Sequence, residues 1–187
     1  MPQITKYLKQ SHIHYQSQSH PLAYTAQQIA EQSNVSGLSF CKTVIVIADG
    51  KLSMIVMSAP YTIDFNDIAK ALNAKQVNLA YEHQFRNVFP DCETGAMPPF
   101  GNLFDIPVYM HDQLAAQSII SFNAGNHLEL LQIKATDFIG LVEPTIISTG
   151  ISTVGTGYEH QHSRQGMLRH LLDPEYDDIN RTSTAYI

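Results

Sequence analysis

Tryptophan is absent from the 187 residues, and cysteine occurs only twice, at Cys41 and Cys92. Two cysteines cannot build a disulfide framework and form no paired metal motif, so both read as free thiols in a reducing compartment. Basic residues are scarce: 11 Lys and Arg against 17 Asp and Glu leave a formal net charge of −6. Proteins that bind nucleic acid non-specifically are ordinarily basic. Any contact with nucleic acid is therefore expected to be local, at one end or one small patch, or assisted by another protein. Long apolar runs are missing as well. The longest, 44–48, is strand-sized and far short of the roughly 20 residues that span a bilayer. The first ten residues hold no apolar signal core and no small-residue cleavage site. A cytoplasmic protein without membrane contact is expected. No GxSxG, Walker A or GxGxxG pattern occurs, which leaves serine-hydrolase, P-loop and dinucleotide-binding readings without support.

What is present is ample core material. The hydrophobic fraction is 44% and the charged fraction 15%, enough to exclude wholesale disorder. Ile4, Tyr7 and Leu8 stand at helical spacing. The stretch 12–19 alternates and reads as an edge strand that Pro21 stops. Thr25 is an N-cap candidate for a helix over 26–33, with Gln28 as its capping-box partner. Two apolar β-branched runs, 43–48 and 52–58, flank Asp49-Gly50, a strong hairpin signal. Pro60 ends the pair, and Asp64 caps a helix over 65–72. A short strand over 77–80 and a short helix over 82–89 follow. The segment 90–101 carries three prolines and two glycines and cannot be regular. Strands are expected over 108–110, 119–122 and 128–133, then a helix capped by Thr136 or Asp137 and running to Val142. After Pro144 the chain turns Ser/Thr/Gly-rich and polar, with a short helix possible over 163–172. The expected division is a domain over 1–144 and a partly ordered appendage over 145–187. Short strands mixed with short helices point to an α+β fold, a curled mixed sheet with helices outside it.

Three groups of residues could carry chemistry. Lys42 is the sole Lys or Arg between Lys9 and Lys51, at the head of the most apolar strand. An ammonium there must reach solvent or find a partner, so it is either a rim lysine or a functional cation. The loop from Gly95 to Gly101 has Pro98, Pro99 and Phe100 between two glycines. Prolines stiffen such a loop and glycines permit close backbone approach, so it can aim N–H groups at a ligand oxygen or simply connect two elements. The turn Asn123-Ala124-Gly125-Asn126-His127 closes a strand end, and His127 is an acid/base candidate or an exposed turn residue. His12-x-His14 and His160-x-His162 read better as surface residues than as ligands, and no metal or cofactor is expected. Cys92 stands between Asp91 and Glu93, whose charges raise a thiol pKa and disfavour a nucleophile. Cys41 should point away from Lys42 on the strand.

Taken in order, His20-Pro21-x-Ala23-Tyr24-Thr25-Ala26, Lys42-Thr43-Val44, Phe89-Pro90-Asp91-Cys92-Glu93-x-Gly95-Ala96, Pro98-Pro99-Phe100-Gly101 and Phe122-Asn123-Ala124-Gly125-x-His127 resemble the YbaK/ProX family of freestanding aminoacyl-tRNA deacylases. These are related to the editing domain inserted in bacterial prolyl-tRNA synthetases. The match covers roughly residues 1–144, and the tail has no counterpart in it. The resemblance implies a mixed, barrel-like β-sheet wrapped by short helices. It implies hydrolysis of the ester joining a wrong amino acid to the tRNA terminal adenosine, with proline tRNA carrying a small amino acid as the expected substrate. Lys42 matches the family's essential lysine, with Gly101 and His127 as its catalytic companions. Gly95, Pro99, Phe100, Asn123 and Gly125 would bind substrate. An activated ester needs positioning and oxyanion stabilisation more than a strong nucleophile. The acidic chain would hold tRNA weakly or receive it from a synthetase or elongation factor. The other reading is a non-catalytic module that binds an aminoacyl or nucleotide ligand in the same pocket.

Overall fold

The computed structural model describes residues 3–153. Helix α1 (Gln3–Gln10) buries Ile4 and Leu8, one turn apart, and leaves Lys6 and Lys9 outside. Strand β1 (Gln16–Ser19) follows, exposed throughout. Helix α2 (Ala26–Gln32) starts where Thr25 Oγ1 accepts the Gln28 N–H at 3.2 Å, satisfying an otherwise orphaned helix donor. Strands β2 (Cys41–Ala48) and β3 (Lys51–Ser58) pair antiparallel from Cys41–Ser58 to Ala48–Lys51. Their turn places Asp49 at φ +47° and Gly50 at φ +83°, the positive angles a two-residue hairpin loop requires.

Strand β4 (Tyr61–Ile63) leads into α3 (Phe65–Ala71), whose cap Asp64 accepts from the Asn66 and Asp67 N–H groups at 2.9 and 3.1 Å. Then come β5 (Val77–Leu79), α4 (Glu82–Phe85), an irregular stretch and a 3-10 turn over Gly101–Phe104. Strand β6 (Val108–His111), α5 (Asp112–Ala115), β7 (Ile119–Asn123), β8 (Glu129–Lys134), α6 (Ala135–Val142), β9 (Thr145–Ile147) and β10 (Ile151–Thr153) complete the order.

The principal sheet runs β5-β2-β3-β6-β9. It is mixed: β6 is parallel to both β3 and β9, and the other pairs are antiparallel. Its central hairpin is buried on both faces, which is why 52–58 reads as a near-continuous apolar run. On one face Cys41, Ile45, Met54 and Val56 join the main core with Phe100, Phe122, Leu131 and Phe138. On the other, Val44, Val46, Ile55 and Met57 meet Ile68 of α3 and Ile147 of β9. A second sheet, β1-β8-β7, closes over the main core, and β4 pairs with β10 in a third. An isolated parallel bridge between Phe40 and Ser121 ties the entry of β2 to β7.

The α+β class with a mixed sheet and outer helices is as expected. Among the described residues the strands form three sheets, two of them linked at that bridge, not one closed barrel. Helix α4 is a single turn, shorter than the 82–89 expected. Helix α6 begins directly from β8 with Lys134 at its N-cap and no side-chain cap, so Thr136 and Asp137 lie inside its first turn. Strand pairing continues past residue 144 through β9 and β10. Both are three residues long and lie in the Ser/Thr/Gly-rich stretch after Pro144, where no sustained apolar run marks a strand. The helix expected over 163–172, His160 and His162 lie outside the described residues. No helix among the described residues is long and apolar enough to cross a membrane.

Candidate active site

Lys42 is the second residue of β2, opposite Met57. Along the strand it shares a face with Val44 and Val46, while Cys41 and Ile45 face the main core. Its side chain is half-buried, and Nζ donates to the Tyr61 carbonyl at 2.6 Å. Burial lowers its pKa below the ordinary lysine value.

An open cleft lies at this end of β2. It is lined by Tyr24, Thr25 and Ala26 at the start of α2, by 40–43, by Gly95 and Met97, and by Asn123 at the end of β7. The bridge explains the meeting. Phe40 pairs in parallel with Ser121, and the Ser121 N–H donates to Ser39 O at 2.9 Å. Two parallel chains advance together, so Lys42 and Asn123, each two residues on, arrive at the same level. Asn123 is 8% exposed, yet its Oδ1 has no hydrogen-bond partner. A buried acceptor without a donor is costly, and this one belongs to a cleft wall.

The loop bearing Gly95 is docked onto the 123–127 turn. Glu93 N–H donates to Gly125 O at 2.9 Å. The His127 N–H donates to Glu93 Oε2 at 3.0 Å, and His127 Nε2 lies 3.0 Å from the Thr94 carbonyl. A carbonyl only accepts, so Nε2 carries a hydrogen and donates it. Nδ1 is buried and unpartnered. Gly125 sits at φ +100°, with Cys92 Sγ 3.4 Å from where a Cβ would stand. Gly95, at φ +86°, directs its N–H to Met97 Sδ at 3.3 Å, a weak acceptor. The exposed ring of Tyr24 lies 5.0 Å from the His127 ring.

Of the residues singled out in the sequence, Lys42, Gly95 and Asn123 line the cleft together. Pro99, Phe100, Gly101, Gly125 and His127 are not among its lining residues. Phe100 is fully buried, edge-on to Tyr7, Phe122 and Phe138, and Pro99 is buried beside it. Gly101 packs against the following turn. A Cβ there would stand 2.7 Å from Ile106 O and from Val108 Cγ2. Tyr24, Thr25, Ala26, Thr43 and Met97 also line the cleft but were not singled out by their chemistry. The signal was, for Tyr24, Thr25, Ala26 and Thr43, their place in the quoted motifs, for Thr25 also its capping role, and for Met97 its place in the Gly95–Gly101 loop.

His12 and His14 are exposed. Among the described residues no three His, Cys, Asp or Glu side chains are grouped to hold a metal ion. Both cysteines are free. Burial raises the Cys41 thiol well above its ordinary value. Burial, then the Asp91 charge, pushes Cys92 up to about 11, so neither is a thiolate near neutral pH.

Residues 20–141 match the family model for the aminoacyl-tRNA editing domain. No curated protein matches the chain in sequence. Among solved structures, one described as a hypothetical protein aligns with TM-score 0.70 at 16% identity, over 78% of this chain and 97% of that one. A proposed trans-editing enzyme for prolyl-tRNA synthetase aligns with TM-score 0.68 at 14% identity, over 78% and 92%. A structure from work on epitope grafting onto scaffold proteins aligns with TM-score 0.69 at 14% identity, over 79% and 94%. At these identities the three likenesses speak to the fold.

Proposed function

The chain belongs to the aminoacyl-tRNA editing domain family and is a YbaK-like aminoacyl-tRNA deacylase; from that premise we propose that its cleft releases a small, wrongly attached amino acid from proline tRNA. The observation that carries the site assignment is the joint presence of Lys42, Gly95 and Asn123 in one cleft.

The reaction needs a water to add to the ester carbonyl carbon. The resulting oxyanion collapses, the bond to the ribose oxygen breaks, and that oxygen takes a proton. The products are a free amino acid and an uncharged tRNA end. Lys42 supplies positive charge to the developing oxyanion or the adjoining ribose and phosphate. The Gly95 N–H, held now by a thioether, is free to exchange that weak partner for the oxyanion. Asn123 Oδ1 accepts from the substrate's α-ammonium, which would satisfy the orphaned acceptor. His127 acts through Thr94, holding the residue before Gly95 in place, and Gly125 permits that docking. Phe100, Pro99 and Gly101 support the loop from the core side. Tyr24 offers an aromatic face to the terminal adenine at the cleft mouth, a contact worth about 1–3 kcal/mol. Phe40 and Met97, both buried, wall the cleft and favour a small side chain. Each methylene is worth only about 1–3 kcal/mol of discrimination, which is why a second sieve is useful.

The net charge of −6 favours a substrate presented by a synthetase or elongation factor, in the cytoplasm, over one captured from solution by charge. The test is a deacylation panel of proline tRNA charged with Ala, Cys, Ser or Thr. At least one should be hydrolysed, and Lys42→Ala should lose most of that activity while keeping its melting temperature. Full activity in Lys42→Ala overturns the role given to Lys42. Ligand-dependent stabilisation without turnover would instead identify a binding module.

A further inference from the structure

The acceptor that holds Lys42 belongs to β4, and what holds β4 lies beyond the part of the chain that matches the editing family. Strand β10 pairs antiparallel with β4, with Thr153 opposite Tyr61 and Ile151 opposite Ile63. Just before it, the Gly150 carbonyl accepts the Asp64 N–H at 2.8 Å. Gly150 stands at φ +79°, and a Cβ there would lie 2.6 Å from the Ile68 N and 2.9 Å from the Asp67 carbonyl carbon. Those are backbone atoms of α3, so the close approach is available to glycine alone. At the other end of the segment, β9 pairs with β6 in the principal sheet. The segment is thus fastened at both ends and crosses α3 between them. The Tyr61 ring is also held, edge-on to buried His111 at 5.2 Å.

We propose that residues 145–153 form a positioning strap for Lys42: by pinning β4 they keep the Tyr61 carbonyl on Nζ and fix the ammonium at the cleft. This rests on the catalytic role given to Lys42 above. A half-buried ammonium on a four-carbon stem has many rotamers. One fixed carbonyl selects a single arrangement before substrate arrives, and displacement of a positioned group by about 1 Å can cost on the order of a hundredfold in rate. Tyr61 and Gly150 are positioning residues in this scheme, since neither is among the residues lining the cleft.

Gly150→Ala in the full chain tests it. The added methyl should lift the strap from α3 and release β4. Lys42 labelling by an amine-reactive acylating reagent, read by mass spectrometry against exposed Lys51 in the same molecules, should rise severalfold. On a hydrolysable charged tRNA, kcat should fall about tenfold or more with KM little changed. Ser152→Pro, which removes the N–H that donates to the Thr62 carbonyl in the β4–β10 ladder, should do the same. Ser152→Thr, which keeps the ladder, should leave both readouts as in the parent chain. An unchanged Lys42:Lys51 labelling ratio in a folded Gly150→Ala or Ser152→Pro chain overturns the strap, as does a change confined to KM. The labelling ratio reads Lys42 without catalysis, so it would still rise if Lys42→Ala proved fully active and only the catalytic role had failed.

Discussion

Gly101 is held to glycine by its neighbours, since any Cβ would meet Ile106 O and Val108 Cγ2 at 2.7 Å. One of those atoms is backbone and cannot yield cheaply. Gly101→Ala should therefore destabilise the fold by about 1–3 kcal/mol, the usual cost of overpacking, and thermal unfolding of the variant checks this. Phe100, which the sequence could only place in a stiff loop, belongs to the same core. Residue type did not reveal that, because a loop lacks the alternation that separates inside from outside along a strand. Lys42 was legible for the opposite reason: a lone cation at the head of an apolar strand is conspicuous in any sequence. Its attachment to Tyr61, 19 residues away, was not. Met97 lay inside the singled-out loop, but its thioether contact with the Gly95 N–H has no sequence signal. Met97→Leu would remove the sulfur from the Gly95 N–H while keeping the bulk, and single-turnover hydrolysis should be equal to or faster than in the parent chain. A tenfold slower rate would show that the thioether, not a free N–H, is what the reaction uses.

Among elements, the hairpin was plain from its two apolar runs and its Asp-Gly turn, and the Thr25 and Asp64 caps stood where short polar side chains precede helical patterns. The strands β4, β9 and β10 escaped because each is three residues long and lies just after a proline or in a Ser/Thr/Gly-rich stretch that reads as loop. The buried His111 at the end of β6 gives this region a pH response. Its pKa is lowered by burial, with Asp112 pulling the other way. The folded chain therefore keeps the ring neutral, and the unfolded chain takes up the proton first. Stability from this group is complete above its unfolded pKa of roughly 6.5 and is lost as pH falls from there through the lower folded value. Melting temperatures of the parent chain should drop between pH 7 and pH 5, with a smaller drop in His111→Gln. An identical drop in both would assign the slope to other groups.

For the whole molecule, charge and topology lead in different directions. With 17 acidic against 11 basic residues, few phosphates can be neutralised. The affinity for uncharged tRNA should fall only gently with salt, with a slope corresponding to about one to three phosphate contacts; a steep slope would reveal a basic surface formed by folding. By itself the sequence determined the α+β class, the central hairpin, the helix caps and the identity of the candidate cation, because these follow from local periodicity, turn chemistry and composition. Tertiary structure alone decided which loop residues face the cleft and which fill the core. It brought Asn123 level with Lys42 through one parallel bridge, and it joined residues 145–153 to the strand that holds the lysine. Such pairings are made between residues far apart in the chain, and no local pattern encodes a partner that distant.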